Sequence, residues 1–211
     1  MTVPANLEID KREIEKTFNC DGLKPLLSNV DSHIDRLIKI LEERYAVIFD
    51  ARLALKTRLV VRSPPLELGV PWDQQWNLPY IPATVLRDAL QFATKQIITK
   101  CFGTIGTLEE QSSVAVLDAY PIQCPYGSSL LTADYVEADG VSELDEPEKL
   151  PIITVSSGTV FRIVVLRAKR ALSCTEEELF KELYRLVKIA LKRGIGALTT
   201  LGYGTFDVNS I

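Results

Sequence analysis

The sequence predicts an α+β domain behind a helical extension. Hydrophobic residues recur at helical spacing through residues 1–50, switch to a period of two at Leu53, and return to helical spacing in two later segments separated by short β-like runs. At 211 residues, 46% hydrophobic and 25% charged, the chain is long enough to bury a core and too apolar for wholesale disorder.

In residues 1–50, Ile34, Leu37, Ile38, Leu41, Tyr45 and Ile48 form one stripe, with Asp35, Arg36, Lys39, Glu42 and Glu43 opposite. A shorter helix around Ile9 to Phe18 ends before Gly22 and Pro25. From Leu53, the side chains of Leu53, Leu55, Thr57, Leu59 and Val61 alternate with Lys56, Arg58 and Arg62, which predicts a strand with one basic face. Pro64 and Pro65 end it, and a loop rich in tryptophan and glutamine runs to Pro82. A helix follows, capped by Thr84, burying Leu86, Ala89, Leu90, Ala93, Ile97 and Cys101 and stopping at Gly103.

Val114 to Ala119 reads as a short strand, and residues 120–151 as an insertion carrying an acidic loop. Ile152 to Val155 and Thr159 to Leu166 then predict a hairpin about Ser156, Ser157 and Gly158. The strongest helix runs from Glu176 to Arg193, with Thr175 and Glu178 as a capping box, Lys192 and Arg193 in the last turn and Gly194 beyond it. A glycine-rich turn and a strand from Tyr203 to Val208 complete the chain. From Leu53 the order is βαββαβ, that of a ferredoxin-like (RRM-like) sandwich over residues 51–211, whose helices cover one sheet face and leave the other for a ligand.

No apolar run approaches ~18 residues, so no membrane span is expected. The charged stretch from Met1 to Lys16 is unlike a signal peptide, and a cytoplasmic protein is expected. Cys20, Cys101, Cys124 and Cys174 form no CxxC pair, and His33 is the single histidine. Metal sites and a disulfide framework are therefore disfavoured, thiols are expected to be reduced, and no cofactor is implied. The net charge of −4 hides an uneven distribution. Asp134, Glu137, Asp139, Glu143, Asp145, Glu146 and Glu148 are interrupted by no basic residue, whereas Arg162 to Arg193 holds nine basic residues against four glutamates. The acidic stretch is either a solvated loop or a face for a basic neighbour.

Three segments are candidate sites. At Pro79 to Arg87, two prolines lead into a helix whose free N–H groups and dipole suit a phosphate, with Arg87, Gln91 and Lys95 in a row; a capped helix with a solvated face is the alternative. From Gly194 to Phe206, four glycines, Thr199, Thr200 and Tyr203 suit close approach of a sugar-phosphate chain and stacking on a base, or a C-cap followed by a bent strand. In Val116 to Pro121, Asp118 ends a strand, where acceptance of hydrogen bonds from its own turn is expected.

Together these segments resemble the RAMP superfamily of CRISPR systems. Pro79, Pro82, Leu86, Ala89 and Leu90 match the family's proline-led helix start, and Gly194, Gly196, Ala197, Thr199, Gly202, Tyr203, Gly204 and Phe206 its terminal glycine-rich loop. Leu117 to Pro121, Thr132 to Tyr135 and Pro151 to Phe161 are most similar to the Cmr-type (type III-B) subunit that caps the backbone filament. Ala83 replaces a family Gly, Thr84 and Val85 the serines, Arg87 a Lys, Asp88 a second Gly, Gln91 an Arg and Leu198 a Lys. If that Gly required positive φ, Ala83 would cost ~1–2 kcal/mol, and the departures imply a weaker hold on RNA.

The resemblance implies a non-catalytic subunit of a Cmr effector complex in antiviral defence. Its partners would be the guide (crRNA) near its 3′ end, other Cmr subunits and, as a second RNA, the target. The RNA contacts implied are Pro82, Ala83, Thr84, Arg87 and Gln91 at the helix start and Gly196, Thr199, Thr200, Gly202, Tyr203 and Gly204 in the loop. The alternatives are an endoribonuclease, a Csm-type end subunit, or a ferredoxin-like domain binding a small molecule on its open face. For cleavage, related subunits use an aspartate in the loop after the first strand. Asp73 occupies such a loop, where an exposed turn residue is the other reading.

Overall fold

In a computed structural model, the described residues are 10–61, 69–94, 114–138, 148–169 and 175–208. Polar caps start the two leading helices. Asp10 Oδ1 accepts from the N–H groups of Arg12 and Glu13 to open α1 (Lys11–Thr17). Asn19 Oδ1 accepts from Asp21 N–H at 2.8 Å to open α2 (Cys20–Leu41). The chain breaks between them at Phe18 and Asn19, so Gly22 and Pro25 sit inside α2 rather than in a loop beyond a single short helix.

The helical stripe expected to continue through Tyr45 and Ile48 ends at Leu41, and Tyr45–Ala54 is a strand, β1. The spacing of these residues fits a helix, but Tyr45, Val47, Ile48 and Phe49 are aromatic or β-branched, and a strand gives them a partner. β1 runs antiparallel to β8 (Val160–Ala168), from Tyr45 opposite Ala168 to Ala54 opposite Val160. The period-two segment read as Leu53 to Val61 therefore only begins in a strand. Beyond it, single bridges join Leu55 to Phe206 and Leu59 to Val155.

β8 is central in the main sheet, flanked by β1 on one side and on the other by β4 (Val114–Val116) and β5 (Tyr120–Gln123) in succession. β2 (Trp72–Asp73) and β3 (Leu78–Pro79) form a small ladder ahead of α3 (Ala83–Thr94). β6 (Leu131–Ala138) and β7 (Glu148–Val155) pair only with each other among the described strands. The expected hairpin about Ser156 to Gly158 is thus a turn that carries the chain from one sheet to the other. The unbroken buried run from Phe161 to Arg167 suits β8 to the middle of a sheet, not to the edge of a hairpin. The acidic stretch is not wholly loop, since Asp134 to Ala138 belong to β6; residues 139–147 lie outside the described residues. Ile97, Cys101 and Gly103 of the expected second helix also lie outside them.

α4 (Glu176–Arg193) has the expected capping box at Thr175 and Glu178 and ends at Gly194, φ +106°. α3 and α4 pack on one face of the main sheet, where Leu86, Leu90, Val187 and Leu191 meet Ile163 and Val165. Tyr203 to Val208 form no strand: a 3-10 turn at Thr199–Leu201 precedes the single bridge at Phe206.

The opposite sheet face is not left open. Arg162, neighbour of Ile163 on β8, is 4% exposed, and its guanidinium reaches Asp31 and Asp35 of α2 at 2.8 and 2.7 Å and Asp50 of β1 at 2.7 Å. α2 lies over this face because its stripe of Leu27, Val30, Ile34 and Ile38 needs apolar cover. A Cys20–Cys124 disulfide, Cα atoms 5.7 Å apart, also fastens it. Reduced thiols were the expectation at both positions, and their separation of 104 residues hid the pairing. Cys101 and Cys174 lie outside the described residues. No helix among the described residues is long and apolar enough to cross a membrane.

Candidate nucleic-acid interface

The first candidate segment is held by the third. Ile81 and Ala119 exchange backbone hydrogen bonds, each at 2.9 Å, which brings Asp118 to the start of α3. Its Oδ1 accepts from the N–H of Ala83 at 2.7 Å. Asp118 thus serves a distant helix rather than its own turn, and the helix begins one residue ahead of Thr84. A carboxylate already occupies one of the N–H groups considered for phosphate. Ala83 is helical and absent from the residues with positive φ, so it carries no left-handed strain at the family's glycine position.

The glycine-rich loop is stitched to residues 58–61. Ala197 N–H donates to Val60 C=O at 2.8 Å and Gly204 N–H to Arg58 C=O at 2.7 Å. A Cβ on Gly196 would collide with the Val60 carbonyl oxygen, and one on Gly204 with that of Ile195. These two glycines admit the protein's own backbone. Gly202, at φ +89°, faces open space, and Thr200 is exposed.

Tyr203 turns toward the β6–β7 ladder, its ring against Val60, Val136 and Ile152. Its hydroxyl donates to Asp134 Oδ2 at 2.7 Å, the oxygen that Arg58 Nη1 approaches at 2.6 Å. Burial and this bond push the Tyr203 hydroxyl up to about 12. Burial pushes Asp134 up as well, but the bonds from Tyr203 and Arg58 outweigh it and hold the carboxyl below its ordinary value.

The two motifs meet at Val61. A groove of about 310 Å³ opens between α3, the end of α4 and the loop, lined by Val61, Val85, Asp88, Ala89, Phe92, Ala190, Arg193, Gly194, Gly196 and Thr199. Of the sequence-derived contacts, Gly196 and Thr199 line it; Pro82, Ala83, Thr84, Arg87, Gln91, Thr200, Gly202, Tyr203 and Gly204 do not. At about 100° per residue, Arg87 points about 160° away from Val85 and Ala89, and Gln91 about 120° and 160° away from them. The Arg193 guanidinium lies over the Phe92 ring, 3.5 Å from its centroid. Sequence reasoning missed this pair because it is made between two helices, and Arg193 reads on its own as a partner of the helix dipole.

Asp73 sits in the β2–β3 hairpin, accepting from Gln75 and Trp76 N–H at 2.8 and 3.3 Å and from the Tyr120 hydroxyl. Burial works to raise its carboxyl, but these bonds prevail and hold it below the ordinary value. The His33 ring lies 5.0 Å from that of Trp76 in the same hairpin.

A family model described as "RAMPs: RAMP superfamily" matches residues 52–207, from the last residues of β1 to just past the bridge at Phe206, and the chain belongs to that superfamily. Its relatives are found in the CRISPR Cmr system. The chain is 24% identical over 217 aligned positions to the CRISPR system CMR subunit Cmr6 of Saccharolobus solfataricus, covering 95% of this chain and 72% of that protein. The fold is similar to a chain in the cryo-EM structure of the Type III-B Cmr-beta bound to cognate target RNA: TM-score 0.72, 22% identity, 93% of this chain and 70% of that one. The crystal structure of Cmr6 from Pyrococcus furiosus is also similar, with TM-score 0.50, 18% identity and coverage of 77% and 97%.

Proposed function

We propose that this chain is a non-catalytic backbone subunit of a type III-B CRISPR (Cmr) effector complex, which holds the guide RNA near its 3′ end and caps the filament. The observation that carries the reading is one open groove around Val61, which the helix-start segment reaches through Val85 and the glycine-rich loop through Gly194, Gly196 and Thr199. Two segments far apart in sequence line a single surface with a cation, Arg193, at its edge. The likeness to Cmr6 proteins supports the choice of complex. An RNA-holding role fits better than cleavage, because Asp73 is tied up as an acceptor in its own hairpin. Contacts through backbone groups and Arg would be indifferent to sequence, as holding any guide requires.

The test is reconstitution of the complex on guide RNA with and without this subunit, followed by nuclease footprinting. Protection of the guide's 3′ end is expected to depend on the subunit. A footprint that is identical without it would end the reading. The Asp73→Ala variant should assemble and leave target cleavage by the complex unchanged.

A further inference from the structure

Resting on that reading, we infer that the groove between α3 and α4 receives one nucleobase of single-stranded RNA, with the Arg193 guanidinium as the stacking platform. Arg193 and Phe92 both line the groove, and the guanidinium covers the Phe92 ring. A cation in the last turn of α4 is favourable for the helix dipole, yet Lys192 beside it supplies the same charge. The dipole gives no reason for the guanidinium to lie on an aromatic ring of another helix. Phe92 is 39% exposed and Arg193 is itself exposed, so the guanidinium is seated on the ring in a pair that solvent reaches. A planar cation fixed in this way is a sequence-tolerant surface for the π-face of a base.

The rest of the groove favours the base over its phosphate. Val61, Val85, Ala89 and Ala190 give it an apolar lining, and at about 310 Å³ it suits one nucleotide rather than a base pair. Asp88 stands at its edge, exposed, where a carboxylate repels phosphate and accepts from an exocyclic amino group. The sugar-phosphate chain therefore stays at the mouth, beside Gly196 and Thr199.

The experiment uses the assembled complex carrying guide RNA with 4-thiouridine placed singly along its 3′ portion. Irradiation of the wild type is expected to link one position to a peptide containing Phe92 or Arg193. The variants Arg193→Lys, which keeps the charge without the platform, and Phe92→Leu are expected to lower that yield about five- to tenfold and leave crosslinks to other subunits unchanged. An abasic residue at the linked position is expected to weaken retention of the subunit about tenfold in the wild type and hardly at all in Arg193→Lys.

If the subunit is incorporated but its crosslinks fall only outside the groove, or if Arg193→Lys behaves as wild type, the inference is overturned while the RNA-binding reading stands. If the subunit contacts no RNA anywhere in the complex, both fall. Thermal melting of each variant alongside the wild type separates a lost contact from a lost fold, and the wild-type crosslink map needs no variant.

Discussion

Asp118 Oδ1 accepts a hydrogen bond from the backbone N–H of Ala83 at 2.7 Å, so α3 is capped by a carboxylate 35 residues further along the chain. The same contact ties the strand-to-strand segment after β4 to the proline-led turn. Asp118→Ala is expected to cost about 0.5–2 kcal/mol, the range for loss of an N-terminal cap. Urea unfolding would measure it, with Asp118→Asn retaining most of the difference and Thr84→Ala, outside the cap, costing little.

Arg162 should be the most sensitive charged position. Its substitution by Met leaves Asp31, Asp35 and Asp50 facing one another, for an expected loss on the order of 2–4 kcal/mol, moderated because these carboxylates reach water. The hydrogen bond from Arg162 outweighs burial and holds the Asp35 carboxyl below its ordinary value. A depressed folded pKa adds stability above the unfolded value of ~3.9, which is lost as pH falls through the lower folded value. Melting temperatures should therefore drop more steeply below about pH 4 in the wild type than in Arg162→Met.

The Cys20–Cys124 disulfide closes a long loop between the N-terminal extension and the sheet. Reduction, or Cys124→Ser, is expected to destabilise the chain by about 2–4 kcal/mol. Comparing melts with and without reductant would check this, and a reductant-insensitive wild type would contradict it.

Two glycines of the same loop should respond differently to alanine. At Gly196 the new methyl meets the Val60 carbonyl oxygen as well as an unfavourable φ of +92°, whereas at Gly202 it meets only the φ of +89°. Gly202→Ala should cost about 1–2 kcal/mol, and Gly196→Ala distinctly more. Parallel denaturation curves would show the order.

Local rules read α4 well, since its box at Thr175 and Glu178 and its stop at Gly194 lie within one segment. They misread Tyr45 and Ile48, whose spacing fits a helix while their shapes prefer a strand; the choice was made by β8, more than a hundred residues away. The helix cap followed the same pattern: Thr84 is the local candidate, and Asp118 wins through an Ile81–Ala119 bridge that periodicity does not reveal. In the candidate site, the two motif segments were legible, but the Phe92–Arg193 contact depends on how α3 and α4 face each other. Residue spacing along either helix carries no such information.

The seat of α2 on the sheet has a consequence for which surfaces are left to meet RNA. Many domains built on a four-stranded plate bind RNA across its broad surface. Here that area is spent internally, on Arg162 and its three aspartates. On the proposed function, RNA would be met along the rim: through strand margins, helix ends and connecting turns, each narrow and each set by a few residues.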